Sequence, residues 1–229
     1  MVTPLHMQWR HVLFANWPVD PSVVRAHVPD ALTVDTHGGD AWLSVVPMTN
    51  ADVRPTWAPA GWGVRLPELN LRTYVTHDGE PGVYFFSLDV QGVLSVLGAR
   101  LFHHLPYFYA RISLAVAGDR VRFESDRRHP GARPVRFAGS YAPVGDELRV
   151  DPGSRADFLT ERYRYYTESP RGALRYARIE HEPWPLYRAT ADVAENTLFA
   201  ADGFARPETE PVFYYSPGVT TTATPSRRA

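Results

Sequence analysis

Short apolar or alternating runs recur along the chain, broken by turn dipeptides, and they predict strands far more often than helices. The candidate strands are residues 9–14, 41–48, 69–76, 83–90, 110–117, 120–125, 135–141, 162–166, 174–180 and 212–215. Asp78-Gly79, Gly118-Asp119 and Gly145-Asp146 read as turns between some of them. The spacing suggests an antiparallel sheet long enough to curl or close. Helical patterns are few. Asp20 ahead of Pro21 resembles an N-cap with proline at the first helical position, opening a helix through about His27. Ser154-Arg155-Ala156-Asp157 reads as an approximate capping box ahead of residues 158–163, with Asp in place of Glu. Apolar residues between Gly92 and His103 follow a helical period, and residues 195–201, stopped by Gly203, form a fourth candidate. No repeat or linker divides the chain. Residues 1–219 are therefore expected to form one domain, and the polar stretch 220–229 a disordered tail.

The most informative run is Glu68-Leu69-Asn70-Leu71-Arg72-Thr73-Tyr74-Val75. Alternation along a strand puts Glu68, Asn70, Arg72 and Tyr74 on one face. That face either meets water or lines the interior of a closed sheet. In the interior, an arginine fork could hold a carboxylate, with Glu68 acting as a proton acceptor or as the partner of Arg72. Periodicity does not choose between these.

Composition narrows the chemistry. All 24 residues in the Lys+Arg count are arginines and there is no cysteine, which excludes lysine Schiff bases, cysteine nucleophiles and cysteine-bound metals. The formal net charge of -1 provides no field for steering toward nucleic acid or an anionic membrane. No apolar run reaches the roughly 18 residues of a spanning helix, and a soluble, cytoplasmic protein is expected. Twenty-one prolines and sixteen glycines fit many short elements joined by turns.

Several spaced blocks together resemble the YqjF-like family (domain of unknown function 2071). They include Asn16-Trp17-Pro18-Val19-Asp20-Pro21, the Glu68–Val75 run, Gly82-Val83-Tyr84-Phe85-Phe86-Ser87-Leu88, Leu105-Pro106-Tyr107-Phe108, Phe158-Leu159-Thr160-Glu161-Arg162-Tyr163, His181-Glu182-Pro183-Trp184-Pro185-Leu186 and Tyr215-Ser216-Pro217-Gly218-Val219. The resemblance implies an acetoacetate decarboxylase-like fold. This is an α+β, mainly β domain, built as a cone-shaped antiparallel barrel with a few peripheral helices and a ligand cavity inside. Gly98-Ala99-Arg100 and Pro106-Tyr107 resemble the stretches around the reactive lysine of the decarboxylases. Tyr107 then stands at the lysine position, and Glu68 matches an acidic cavity residue. Tyrosine cannot form an imine, so decarboxylation by the superfamily mechanism is excluded.

Other candidates are weaker. His103-His104 adjoin the Pro106-Tyr107 stretch, and His103 could serve as an acid or base at the cavity mouth. His181-Glu182 lacks the second histidine of a helical zinc motif, and no metal or cofactor is called for. The loop Arg54-Pro55-Thr56-Trp57-Ala58-Pro59-Ala60-Gly61-Trp62-Gly63 is either pinned by aromatic packing or a lid whose tryptophans wall a ligand. The arginines from Arg120 to Arg136 are diluted by acids and read as a solvated hairpin.

The expected site therefore has Glu68, Tyr107 and His103 in acid–base roles. Asn70, Arg72, Tyr74, Arg100, Trp57 and Trp62 would bind the ligand. The expected partner is a small organic molecule, anionic or carbonyl-bearing, with no nucleic acid or membrane; a homo-oligomer is left open. Cofactor-independent enolisation, hydration or lyase chemistry is one reading, and a non-catalytic binding or sensor protein is the other.

Overall fold

The structure is a computed structural model describing residues 3–92 and 104–229. The helical pattern expected between Gly92 and His103 falls almost wholly on residues outside that set, as do Arg100 and His103. Among the described residues thirteen strands form one sheet. In chain order they are β1 (Leu5–Val19), β2 (Thr33–Val34), β3 (Ala41–Pro55), β4 (Val64–His77), β5 (Glu80–Val90), β6 (Tyr107–Ala117), β7 (Arg120–Arg127), β8 (Arg136–Glu147), β9 (Arg164–Glu168), β10 (Leu174–His181), β11 (Tyr187–Asn196), β12 (Val212–Ala223) and β13 (Arg227–Arg228). Among the described residues three short helices accompany them: α1 (Pro21–Arg25), α2 (Arg155–Thr160) and α3 (Leu198–Ala201).

Pairing closes the sheet on itself. β12 pairs with β1, β1 with β3, β3 with β4, β4 with β5, β5 with β9, β9 with β10, and β10 returns to β12. A second arm, β6-β7-β8-β11, bridges from β5 to β12. The pairing is antiparallel except where β5 meets β6 and β9, two parallel contacts that the antiparallel expectation did not include.

This arrangement buries both faces of strands that lie between the lumen and the second arm. The first ten residues of β3, Ala41 to Asn50, are all buried. One face packs Leu13, Leu43, Val45, Leu69 and Leu71 against Phe123 and Phe137 of the second arm, with Val24 and Phe199 from α1 and α3. The other face puts Val12, Phe14, Val46, Met48 and Leu88 into the lumen with Leu159 and Trp184. A strand buried on both faces reads as a continuous apolar run, which is the pattern of β3.

The local signals act where their chemistry allows. Asp20 Oδ1 accepts from Ser22 N at 2.8 Å at the start of α1. Ser154 Oγ accepts from Asp157 N at 3.2 Å, whereas Asp157 reaches back to Gly153 N and not to the cap residue. Asp78 (φ 51°) and Gly79 (φ 80°) are both left-handed and join β4 to β5 as a two-residue hairpin.

Four expectations are corrected. Gly145-Asp146 lies inside β8, where the pair forms the extra residues of a bulge opposite Tyr187 and Arg188. β11 has no counterpart among the expected strands; Ala189 and Ala191 on its half-buried face, between Tyr187 and Val193, give a weak strand signal. It takes up Glu195 and Asn196, so α3 begins only at Leu198. Residues 220–223 continue β12, and Arg227–Arg228 pair with β10, so the segment read as a disordered tail is bound to the sheet. Its polar residues are held by ladder bonds and by Ser226, which accepts from Arg175 Nε at 3.1 Å.

Candidate ligand cavity

Every second residue of β4 from Val64 to Arg72 faces the lumen: Val64, Leu66, Glu68, Asn70 and Arg72 all line one cavity of about 360 Å³. The polar face read from the sequence therefore points inward. Glu68 is buried, at 4% exposure, and three side chains converge on it. Asn50 Nδ2 donates to Oε2 at 3.0 Å, Asn70 Nδ2 to Oε1 at 3.2 Å, and the Tyr107 phenol to Oε2 at 3.0 Å. Those donors come from β3, β4 and β6, so the carboxyl ties three strands together.

Burial pushes the Glu68 carboxyl above its ordinary range; the hydrogen bonds from Tyr107, Asn70 and Asn50 and the charge of Arg72 pull it back only in part. Tyr107 is pushed well above the usual phenol value, by burial first and then by the adjacent carboxylate. It is therefore an O–H donor at neutral pH.

Arg72 does not pair with Glu68. Among the described residues its guanidinium makes no ion pair; Nη2 donates to Leu159 O at 3.2 Å, and Nε is buried without a hydrogen-bond partner. The group lies over Phe14, 5.4 Å from the ring centroid. Asn50 Oδ1 and Asn70 Oδ1 are likewise buried without partners. A cation and two acceptors thus remain open beside Glu68, an arrangement costly to leave unmet in an apolar setting.

Other expected residues lie elsewhere. Tyr74 shares the lumen side of β4 but does not line the cavity; it is fully buried beneath it, donating to Leu159 O at 2.8 Å and bonding Ser44 Oγ at 2.8 Å. Its hydroxyl is used in closing the floor against α2. Trp57 and Trp62 are 70% and 74% exposed and do not line the cavity. Their loop turns outward after β3, held by Arg54, which bonds Asp52 and Ala58 O, and only Ala58 is buried.

Several lining residues were not singled out as site candidates. Asn50 is one, because its approach to Glu68 depends on the β3–β4 register, Met48 opposite Glu68, which alternation within one strand cannot reveal. Trp9 and Trp184 stack at 5.5 Å, and His181 packs against both; burial lowers its pKa and favours the neutral ring. Arg162 and Arg164 also line the cavity, but they are paired with Asp35 and Glu80. No cluster of three or more metal-ligating side chains occurs among the described residues, and no described helix is long and apolar enough to cross a membrane.

Residues 6–220 match the family model of DUF2071, described as an uncharacterised conserved protein. The chain belongs to this family. It is 44% identical over 213 residues to the uncharacterised protein YqjF of Bacillus subtilis, covering 93% of this chain and 87% of that one. Among solved structures it is similar to the enduracididine biosynthesis enzyme MppR complexed with pyruvate, with a TM-score of 0.72 at 15% identity, covering 100% and 91% of the two chains. An acetoacetate decarboxylase from Legionella pneumophila matches with a TM-score of 0.65 at 12% identity, covering 100% and 88%. The DUF2071 chain therefore has the acetoacetate decarboxylase-like fold, built without any lysine.

Proposed function

We propose that the lumen of this DUF2071 protein binds a small organic ligand bearing a carboxylate or carbonyl and performs cofactor-independent acid–base chemistry on it. The observation that carries the reading is the pairing of a buried, hydrogen-bonded carboxyl with an arginine in the same cavity that has no ion pair among the described residues. Arg72 is the anion clamp. Its fork can offer two parallel donors to a carboxylate, a charge-assisted geometry that is strong when desolvated. Glu68 takes a proton from carbon beside the ligand carbonyl, and its raised pKa makes it a stronger base than an exposed carboxylate once ionised. Tyr107, already an O–H donor toward Glu68, turns to the ligand oxygen as negative charge develops there. The pyruvate bound by a structural neighbour supports a ligand of this type.

One observation favours a second reading, a binding protein without turnover: Glu68 already accepts three hydrogen bonds, which stabilise it where it stands. Proton exchange separates the two. Pyruvate and acetoacetate in D2O, followed by proton NMR, should lose their α-protons faster with the wild-type protein. Glu68→Gln should retain binding and lose the exchange. Binding with no exchange in the wild type establishes the second reading; no Arg72-dependent binding removes both.

A further inference from the structure

The cavity is larger and more apolar than an anion clamp for a short acid requires. At about 360 Å³ the cavity falls within the range of ordinary small-molecule sites, roughly 300–1,000 Å³. The polar groups sit toward one end. Along β4, the lining positions run Val64, Leu66, Glu68, Asn70, Arg72, from the half-exposed rim toward the floor closed by Tyr74 and α2. The four residue steps from Val64 to Glu68 span about 13 Å of strand. That stretch is walled by Leu5, Met7, Val53, Val64 and Leu66, with Val90 opposite Glu68. Apart from Thr3 and the open Asn50 Oδ1 opposite Leu66, the walls there offer water few hydrogen-bond partners, so the stretch favours a mainly apolar occupant.

We propose that the ligand is an amphiphilic acid or ketone whose polar head sits at Arg72 and Glu68 while an aliphatic body of several carbons fills the shaft toward Val64. This inference rests on the reading of the lumen as a ligand site and adds the class of molecule. A pyruvate-sized ligand would occupy the head position and leave the shaft unfilled. Each methylene placed in the shaft should tighten binding about fourfold, until the shaft is full.

The test is a titration of straight-chain carboxylates of two, four, six, eight and ten carbons against the wild-type protein, Arg72→Met, and the shaft-filling variants Leu66→Trp and Val53→Phe. Affinity should climb with length in the wild type, fall at every length in Arg72→Met, and reach its limit at a shorter chain in whichever shaft variant melts cooperatively. A flat or falling length dependence that still needs Arg72 overturns the amphiphile and leaves the ligand site standing. A climb indifferent to both shaft variants is surface adsorption and also overturns it. Loss of all Arg72 dependence, for short and long acids alike, overturns the site itself.

Discussion

The Tyr107 phenol donates to Glu68 Oε2 at 3.0 Å, joining the first residue of β6 to the middle of β4 across the lumen. The bond holds a phenol in its neutral form and a carboxyl under strain from burial in one contact, and each raises the cost of changing the other. Tyr107→Phe should remove about 1 kcal/mol of stability, the worth of a typical buried hydrogen bond. It should also raise the Glu68 pKa further, since the tyrosine bond is the largest of the influences lowering it. Carboxyl carbon NMR of Glu68 in the two proteins checks the direction.

The raised pKa of Glu68 has a consequence for stability. Above the ordinary carboxylate range the unfolded chain has lost this proton while the folded protein retains it, so the folded state binds more protons and stability falls as pH rises toward the folded pKa. Asp89, pushed by burial up to about 6, adds a fall of the same sign between the ordinary aspartate value and about 6. Glu68→Gln should flatten the part of the Tm-against-pH curve that Glu68 contributes and leave the Asp89 part. An unchanged curve would mean that Glu68 titrates as an ordinary carboxylate.

Behind the cavity, Arg127 holds Asp89 through Nε at 2.6 Å and Nη2 at 3.1 Å, with both side chains almost fully buried. Removing one partner leaves an uncompensated buried charge. Arg127→Leu should cost about 3–5 kcal/mol, read from urea unfolding, and Asp89→Asn a comparable amount, because it leaves the permanently charged guanidinium buried with one of its two acceptor oxygens replaced by a donor.

Gly218 has φ 129° on β12, and a Cβ there would lie 1.8 Å from Trp9 O on β1. No side chain yields there, since the obstacle is backbone. Gly218→Ala should destabilise the protein by at least about 2 kcal/mol and disturb the Trp9–Trp184 stack, visible in near-ultraviolet circular dichroism.

The sequence exposed those parts of the site that a single strand encodes. Alternation put Glu68, Asn70 and Arg72 on one face, and the family blocks turned that face inward and picked out Tyr107. What it could not show was set between strands. Asn50 meets Glu68 only through the β3–β4 register, and Tyr74 is withdrawn because α2, distant in sequence, brings Leu159 O to its hydroxyl. Trp57 and Trp62 fit either a loop pinned by aromatic packing or a lid over a ligand, because large aromatics in a Pro/Gly loop usually cover something, yet the Arg54 anchor turns them outward. β11 shows little periodic contrast because Ala189 and Ala191, two of the positions on its half-buried face, are small and weak strand formers.

If Arg72 waits in the lumen for an anionic head group, intrinsic fluorescence should report the ligand's arrival. Trp9 and Trp184 line the cavity, so an acid entering it should change their emission, while the exposed Trp57 and Trp62 report only a constant background. Titration with octanoate should give a saturable change in the wild-type protein, with affinity at least about tenfold weaker in Arg72→Met, the loss expected for one charge-assisted hydrogen-bonded contact. Equal affinities in the two proteins would contradict the account.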